Sequence, residues 1–218
     1  MIMNFSLQSV VPSMSFQGLG LVPSMVETKN PSQRDFDGDE SQTLMHRIAS
    51  GDETAFALLV NRWKIPLFRF FDRSLNNHAD AEDLTQKVFI KLYSAVSRYK
   101  PEAKFSTYIF TIARRLLLDE FKRRSRRPED LTDPADLRSP TEVVDSRNEI
   151  EEVLEECLAL IPENQRTALL LRVQRELSYN EIAEIMATSE SAVKTWIYRA
   201  REEARKTLSE LRKKNDET

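Results

Sequence analysis

Residues 178–202, SYNEIAEIMATSESAVKTWIYRARE, set two amphipathic helical patterns almost back to back. Ser178 followed three residues later by Glu181 is a capping box, which fixes the start of the first helix. Ile182, Ala183, Ile185 and Met186 form its inner face, and Ala183 is small enough to let a second helix cross closely. The tripeptide ATS makes the turn. Ser189 or Thr188 can cap the next helix, which Val193, Trp196 and Ile197 anchor on the inside. The spacing therefore builds a helix-turn-helix. Ala187 stands where such turns often carry glycine, and alanine suits the position if the backbone there stays out of the left-handed region.

The same helical period runs through the rest of the chain. After Asp52, a good N-cap, come Phe56, Leu59, Val60, Trp63, Leu67, Phe70 and Phe71, three or four apart, with Pro66 expected to bend or interrupt the helix. The polar run NNHAD reads as a loop before a second helix with Ala81, Leu84, Val88, Leu92 and Val96 on one face. RYKPEAK breaks that pattern. Ser106 can then cap a third helix whose Ile109, Ile112, Ala113, Leu116 and Leu117 lead into a basic run at 122–127. No segment alternates apolar and polar residues as a strand would, so the fold class is all-α, with two small helical domains.

Residues 1–40 lack periodicity and read as a flexible tail. Their apolar start has no basic n-region and is broken by Pro12, Gly18, Gly20 and Pro23, unlike a signal peptide. Translation starting further in, at Met25 for instance, is one reading. The first helical domain spans 41–127, and the proline-rich acidic stretch 128–146 is a flexible linker. A second domain, 147–213, contains helices over about 147–160 and 163–175 and then the helix-turn-helix.

Composition excludes several classes. No stretch approaches the roughly 18 apolar residues of a membrane span. The single Cys157 forbids an internal disulfide, argues against a cysteine-built zinc site and fits a reducing cytoplasm. His46 and His78 lack metal-ligand spacing, and there is no glycine loop for phosphate or nucleophile elbow. Asp80, Glu82 and Asp83 fall at a helix start, where acids complement the dipole without any metal. The sequence therefore predicts no enzyme, metal or cofactor.

A net charge of −3 conceals a strong asymmetry. Eight basic residues lie between Lys104 and Arg127 against Asp119 and Glu120, and eleven acidic residues follow between Glu129 and Glu156. Fields are screened over about 10 Å, so the local block decides whether phosphate binds. In the helix-turn-helix, Glu190, Ser191, Lys194, Thr195 and Tyr198 or Arg199 lie on the outer and leading surface of the second helix. Hydroxyls and a lysine in its first half suit a DNA major groove, and trailing arginines suit phosphate. In KFSTYIFTIARRLLLDEFKRR, Phe105, Tyr108 and Phe110 accompany Arg114, Arg115, Lys122, Arg123 and Arg124. Aromatics beside cations are how proteins hold unpaired bases while neutralising the backbone.

Two blocks in one order carry a family resemblance: DAEDLTQKVFIKLYSAVSRYKPEAKFSTYIFTIARRLLLDEFKRRSRR and, after the acidic linker, LIPENQRTALLLRVQRELSYNEIAEIMATSESAVKTWIYRAREEARKTL. Over about 45–212 the chain resembles bacterial extracytoplasmic-function (ECF) RNA polymerase sigma factors. The resemblance implies a first domain that binds the clamp helices of the largest subunit of core RNA polymerase and recognises and melts the promoter −10 element. It implies a second domain that reads the −35 element as duplex. Asp80, Glu82, Asp83 and Gln86 match the polymerase-binding helix. Phe105, Thr107, Tyr108, Arg114 and Arg115 match the −10 segment, with Lys122 and Arg123 at its basic end. Glu190, Ser191, Lys194, Thr195 and Arg199 match the −35 recognition helix.

The family often has tryptophan at Tyr108 and asparagine at Arg115. Tyrosine can still stack, but arginine changes the donor set, so the preferred −10 bases do not carry over. An anti-sigma factor is a further partner the family often has. The competing class is a helix-turn-helix regulator whose first domain senses a ligand or dimerises, and polymerase binding separates the two.

Overall fold

The computed structural model describes residues 39–126 and 149–216, so the linker and most of the tail lie outside the described residues. Among the described residues there are eight α-helices, one 3₁₀ turn and no strand, as the period predicts. The first group comprises α1 (Asp39–Ala49), α2 (Glu53–Leu75), α3 (His78–Ala95), the 3₁₀ turn Val96–Arg98 and α4 (Phe105–Arg126). The second comprises α5 (Glu149–Leu160), α6 (Glu163–Arg175), α7 (Tyr179–Met186) and α8 (Glu190–Asp216). The helix α1 begins at Asp39, two residues inside the stretch that reads as tail.

Asp52 caps α2 as its sequence position suggests. Its carboxylate accepts from the Ala55 N–H at 3.1 Å, the Thr54 hydroxyl at 2.6 Å and the Arg47 guanidinium at 2.8 Å. Thr54, then Arg47 and Ala55, hold the Asp52 pKa down at about 2. The interruption expected at Pro66 does not occur, because α2 runs through it to Leu75. A proline inside a helix costs about 3 kcal/mol. The neighbouring Trp63, Leu67, Phe70 and Phe71 are all fully buried, and burying each large apolar side chain gives roughly 1.5–3 kcal/mol. Tertiary burial outweighs the local defect.

Two helix starts also differ from expectation. Asn77 caps α3 by accepting from the Asp80 N–H at 2.9 Å, and Asn76 adopts the left-handed region at φ 49°. Two asparagines thus complete the turn, and His78, Ala79 and Asp80 of the expected loop are already helical. In α4 the helix starts at Phe105, so Ser106 is inside it and buried rather than capping it. The first bond of this helix runs from the Tyr108 N–H to the Lys104 carbonyl at 3.1 Å. Phe105 must enter the core beneath Trp63, at 5.4 Å between ring centroids, and that draws the helix back to include it.

Trp63 is the centre of the first core. Its ring meets Phe105 and Phe110, Phe110 meets Phe70 at 5.4 Å, and its buried Nε1–H donates to Ser41 Oγ at 3.2 Å. The second core gathers Cys157, Leu158, Leu170, Leu171, Ile182, Ile185, Val193 and Ile197, all buried.

In the helix-turn-helix both bonds of the capping box form. The Glu181 N–H donates to Ser178 Oγ at 3.2 Å and the Ser178 N–H to Glu181 Oε2 at 2.7 Å. Of the two candidate caps for α8, Ser189 serves, accepting from the Ala192 N–H at 3.2 Å, while the Thr188 N–H closes α7 on the Ala183 carbonyl at 2.9 Å. The condition set for Ala187 is not met, since it lies at φ 49°, ψ 52° in the left-handed region. An L-residue there costs roughly 1–2 kcal/mol. Ala187→Gly is therefore expected to stabilise the protein by about 1 kcal/mol after the extra unfolded-state entropy of glycine is subtracted. Thermal unfolding followed by circular dichroism should show a midpoint higher by roughly 2–4 °C, and an unchanged midpoint would contradict the strain.

Candidate nucleic-acid interface

The outer surface of α8 is open to solvent. Glu190, Ser191, Lys194, Thr195 and Arg199 are all exposed, and so is Tyr198 at 66%, whereas Val193 and Ile197 on the opposite side are buried. Lys194 is held in place from two directions. Its ammonium donates to Glu190 at 2.7 Å, which raises its pKa, and it lies 5.6 Å from the centre of the Tyr179 ring. The Arg172 guanidinium packs against the same ring at 5.1 Å and donates to the Leu177 carbonyl at 2.7 Å. Tyr179 therefore bridges the end of α6 and the leading turn of α8, a role the sequence pattern did not single out.

The basic face of α4 divides into two parts. Tyr108 is half-buried, Arg115, Lys122 and Arg123 are exposed, and Arg123 is held by Glu120 at 2.7 Å and 2.9 Å. Phe105, Thr107 and Arg114 are buried, so their side chains do not share that open surface. Phe110, grouped by sequence with the aromatics beside the cations, is also fully buried. The structure adds Tyr99, whose ring meets Tyr108 edge-on at 4.9 Å and Phe105 at 6.2 Å. Desolvation raises the Tyr108 hydroxyl's pKa, while the nearby charges of Arg115 and Arg98 oppose that shift. A sequence signal for Tyr99 existed, an aromatic next to Arg98 just ahead of the α4 start, but it sits in a stretch that reads only as a helix breaker.

Glu82, Asp83 and Gln86 are exposed along α3, one turn apart. Asp83 pairs with Lys87 along the helix, leaving Glu82 and Gln86 flanking that pair. Asp80 is drawn aside by Arg124, which donates to it at 2.5 Å and to Glu120 at 3.0 Å. The Arg123 hydrogen bond is the main cause of a lowered Glu120 pKa, with Arg124 adding to it against the effect of burial. Asp80 thus ties α3 to α4 as well as lying near the acidic surface. Among the described residues no group of three or more histidine, cysteine or acidic side chains could hold a metal ion, and no helix is long and apolar enough to cross a membrane.

A capped short helix, a tight turn and a long helix with an exposed hydroxyl- and lysine-bearing side, beside a separate aromatic and cationic helix, give the chain the architecture of a helix-turn-helix protein. Residues 59–127 match the family Sigma-70 region 2, and residues 151–203 match Sigma-70, region 4. The RNA polymerase sigma-H factor of Pseudomonas aeruginosa is 32% identical over 186 residues, covering 79% of this chain and 96% of that protein. The ECF RNA polymerase sigma factor SigW of Bacillus subtilis is 31% identical over 180 residues, covering 76% of this chain and 95% of its own length. The fold is also that of the sigma factor RpoE of Bartonella quintana, solved in complex with the anti-sigma factor NepR, with a TM-score of 0.58, 20% identity and coverage of 71% and 96%. The chain belongs to the ECF-type RNA polymerase sigma factors, which act with core RNA polymerase to direct transcription initiation at promoters.

Proposed function

We propose that the two helical groups divide promoter recognition between them. The first, assigned to 41–127, binds core polymerase through Glu82, Asp83 and Gln86, with Asp80 beside them, and recognises and opens the −10 element through α4. The second, assigned to 147–213, reads the −35 duplex through Glu190, Ser191, Lys194, Thr195 and Arg199. The observation that carries this reading is the separation of two surfaces with different chemistry: α8 presents hydrogen-bonding side chains on an exposed helix, and α4 presents Tyr108 beside Arg115. The first suits a duplex groove and the second an unpaired strand.

The chain performs no covalent chemistry in this scheme. Polymerase supplies catalysis, and the protein works in the cytoplasm where polymerase is. An anti-sigma factor is a further partner, supported by the fold shared with a sigma factor solved in such a complex. The exposed acids of α3 favour a basic docking surface on polymerase.

Reconstitution tests the reading: the purified chain added to core polymerase, with no other sigma factor, should give promoter-dependent run-off transcripts. Specific DNA binding without polymerase association or transcripts would instead support a helix-turn-helix regulator. Within that assay, Lys194→Ala should weaken −35 binding by about 1–3 kcal/mol and relax preference at one base position. A uniform loss across sequences, with a shallower dependence on salt, would assign Lys194 to phosphate instead.

A further inference from the structure

Glu190 and Lys194 stand one turn apart at the start of α8, with side chains 47% and 56% exposed. The Lys194 ammonium donates to Glu190 Oε1 at 2.7 Å. Ser189 fixes the first turn by accepting from the Ala192 N–H, and the Tyr179 ring lies 5.6 Å from the same ammonium. Arg172 anchors that ring from the side of α6, at 5.1 Å. A donor and an acceptor are therefore held side by side at the start of a helix, where a recognition helix meets base edges. The neighbouring Thr195 hydroxyl donates instead to the Ser191 carbonyl of its own helix, at 3.0 Å.

Phosphate suits this pair poorly. A carboxylate 2.7 Å from the ammonium repels a phosphate oxygen and offsets the charge that would attract it. A base edge is different, because it presents donors as well as acceptors. In the major groove a G·C pair sets the O6 acceptor of guanine beside the N4–H donor of cytosine, joined by their own hydrogen bond of about 2.9 Å. That order and spacing are the complement of Lys194 and Glu190. An ammonium has three donors, so one on Glu190 leaves two for O6 and N7 of guanine, and an ionised carboxylate has further lone pairs for N4–H. Turning the base pair round puts donor against donor and acceptor against acceptor. A T·A pair keeps the order, O4 beside N6–H, but has the thymine methyl where guanine has N7.

We infer that Glu190 and Lys194 together read one G·C pair of the −35 element, with Lys194 on the guanine and Glu190 on its paired cytosine. The inference deepens the assignment of α8 to that element and rests on it. Glu190 then determines specificity in its own right. Lysine alone finds an acceptor on guanine in either orientation of the pair, whereas the adjoining carboxylate admits only one.

The test uses the full chain with core polymerase, in competition binding to promoters whose −35 positions are varied one at a time. The unsubstituted protein should favour G·C at one position, by roughly tenfold over the reversed pair. Lys194→Ala and Glu190→Ala, checked for folding by circular dichroism, should both flatten the preference at that same position. Replacing its guanine with the analogue that lacks N7 should weaken the unsubstituted complex several-fold and leave that of Lys194→Ala unaffected. Glu190→Gln should move the preference towards T·A, because an amide matches the N6–H and N7 of adenine. A residue that only steadies the helix would produce no such switch. The paired reading is overturned if the two alanine variants act at different positions, or if Glu190→Ala tightens binding to every sequence alike. It is also overturned if Glu190→Gln leaves the preference for G·C undiminished. Those results with discrimination at other −35 positions remove only the pair, whereas binding indifferent to the whole element removes the assignment of α8 beneath it.

Discussion

Replacing Trp63 with alanine is expected to destabilise the first helical group by about 3–5 kcal/mol, the range for truncating a large buried aromatic. Whole domains have only about 5–15 kcal/mol of stability, so most of the margin would go. The indole is fully buried, packs against Phe105 and Phe110, and donates its N–H to Ser41. The substitution leaves a cavity, removes the Ser41 bond and takes away the ring beneath Arg175. Urea unfolding followed by far-ultraviolet circular dichroism should show a much earlier transition. A loss below about 1 kcal/mol would mean that the core closes over the gap, against the usual cost of such cavities.

Tyr108→Ala should act on promoter opening rather than on folding. Stacking of one unpaired base on an aromatic ring is worth about 1–3 kcal/mol, which corresponds to roughly 5- to 150-fold in open-complex formation. Tyr108→Phe keeps the ring and should retain most of the activity. Permanganate footprinting of the −10 region would read the opening directly. On a template already unpaired at −10 the defect should shrink, because the cost of opening has been removed. An equal defect on paired and unpaired templates would place Tyr108 in the support of Tyr99 and Phe105 rather than in strand capture.

These two residues show how far the sequence could be read. Trp63 repeats with Phe56, Leu59, Leu67 and Phe70 at helical spacing, and periodicity alone puts it in a core. The capping box at Ser178 and Glu181 and the cap at Asp52 were equally legible, because each is a contact between residues three apart. Arg114 was not. A cation after a run of aromatics reads as a nucleic-acid contact, and nothing local reveals that Glu163 and Asn164, some fifty residues on, meet it. Pro66 shows the opposite limit: the local rule was sound, but four buried neighbours overrode it. The motif groups Phe105 and Thr107 with the strand-binding residues, while their burial follows from how α4 packs in the first core. Tyr99 lies in RYKPEAK, where the helical period stops and gives no sign of the ring contact with Tyr108.

The hydrogen bond from Trp63 to Ser41 bears on where this protein can be cut. The family match begins at residue 59, within α2, yet the tryptophan beyond it depends on a hydroxyl from α1. Leu44, Met45 and Ile48 of α1 are buried as well. A fragment trimmed to the match would carry a stranded indole donor and an uncovered apolar surface. The smallest piece that folds on its own should therefore reach back to Asp39, twenty residues before the point at which similarity becomes recognisable.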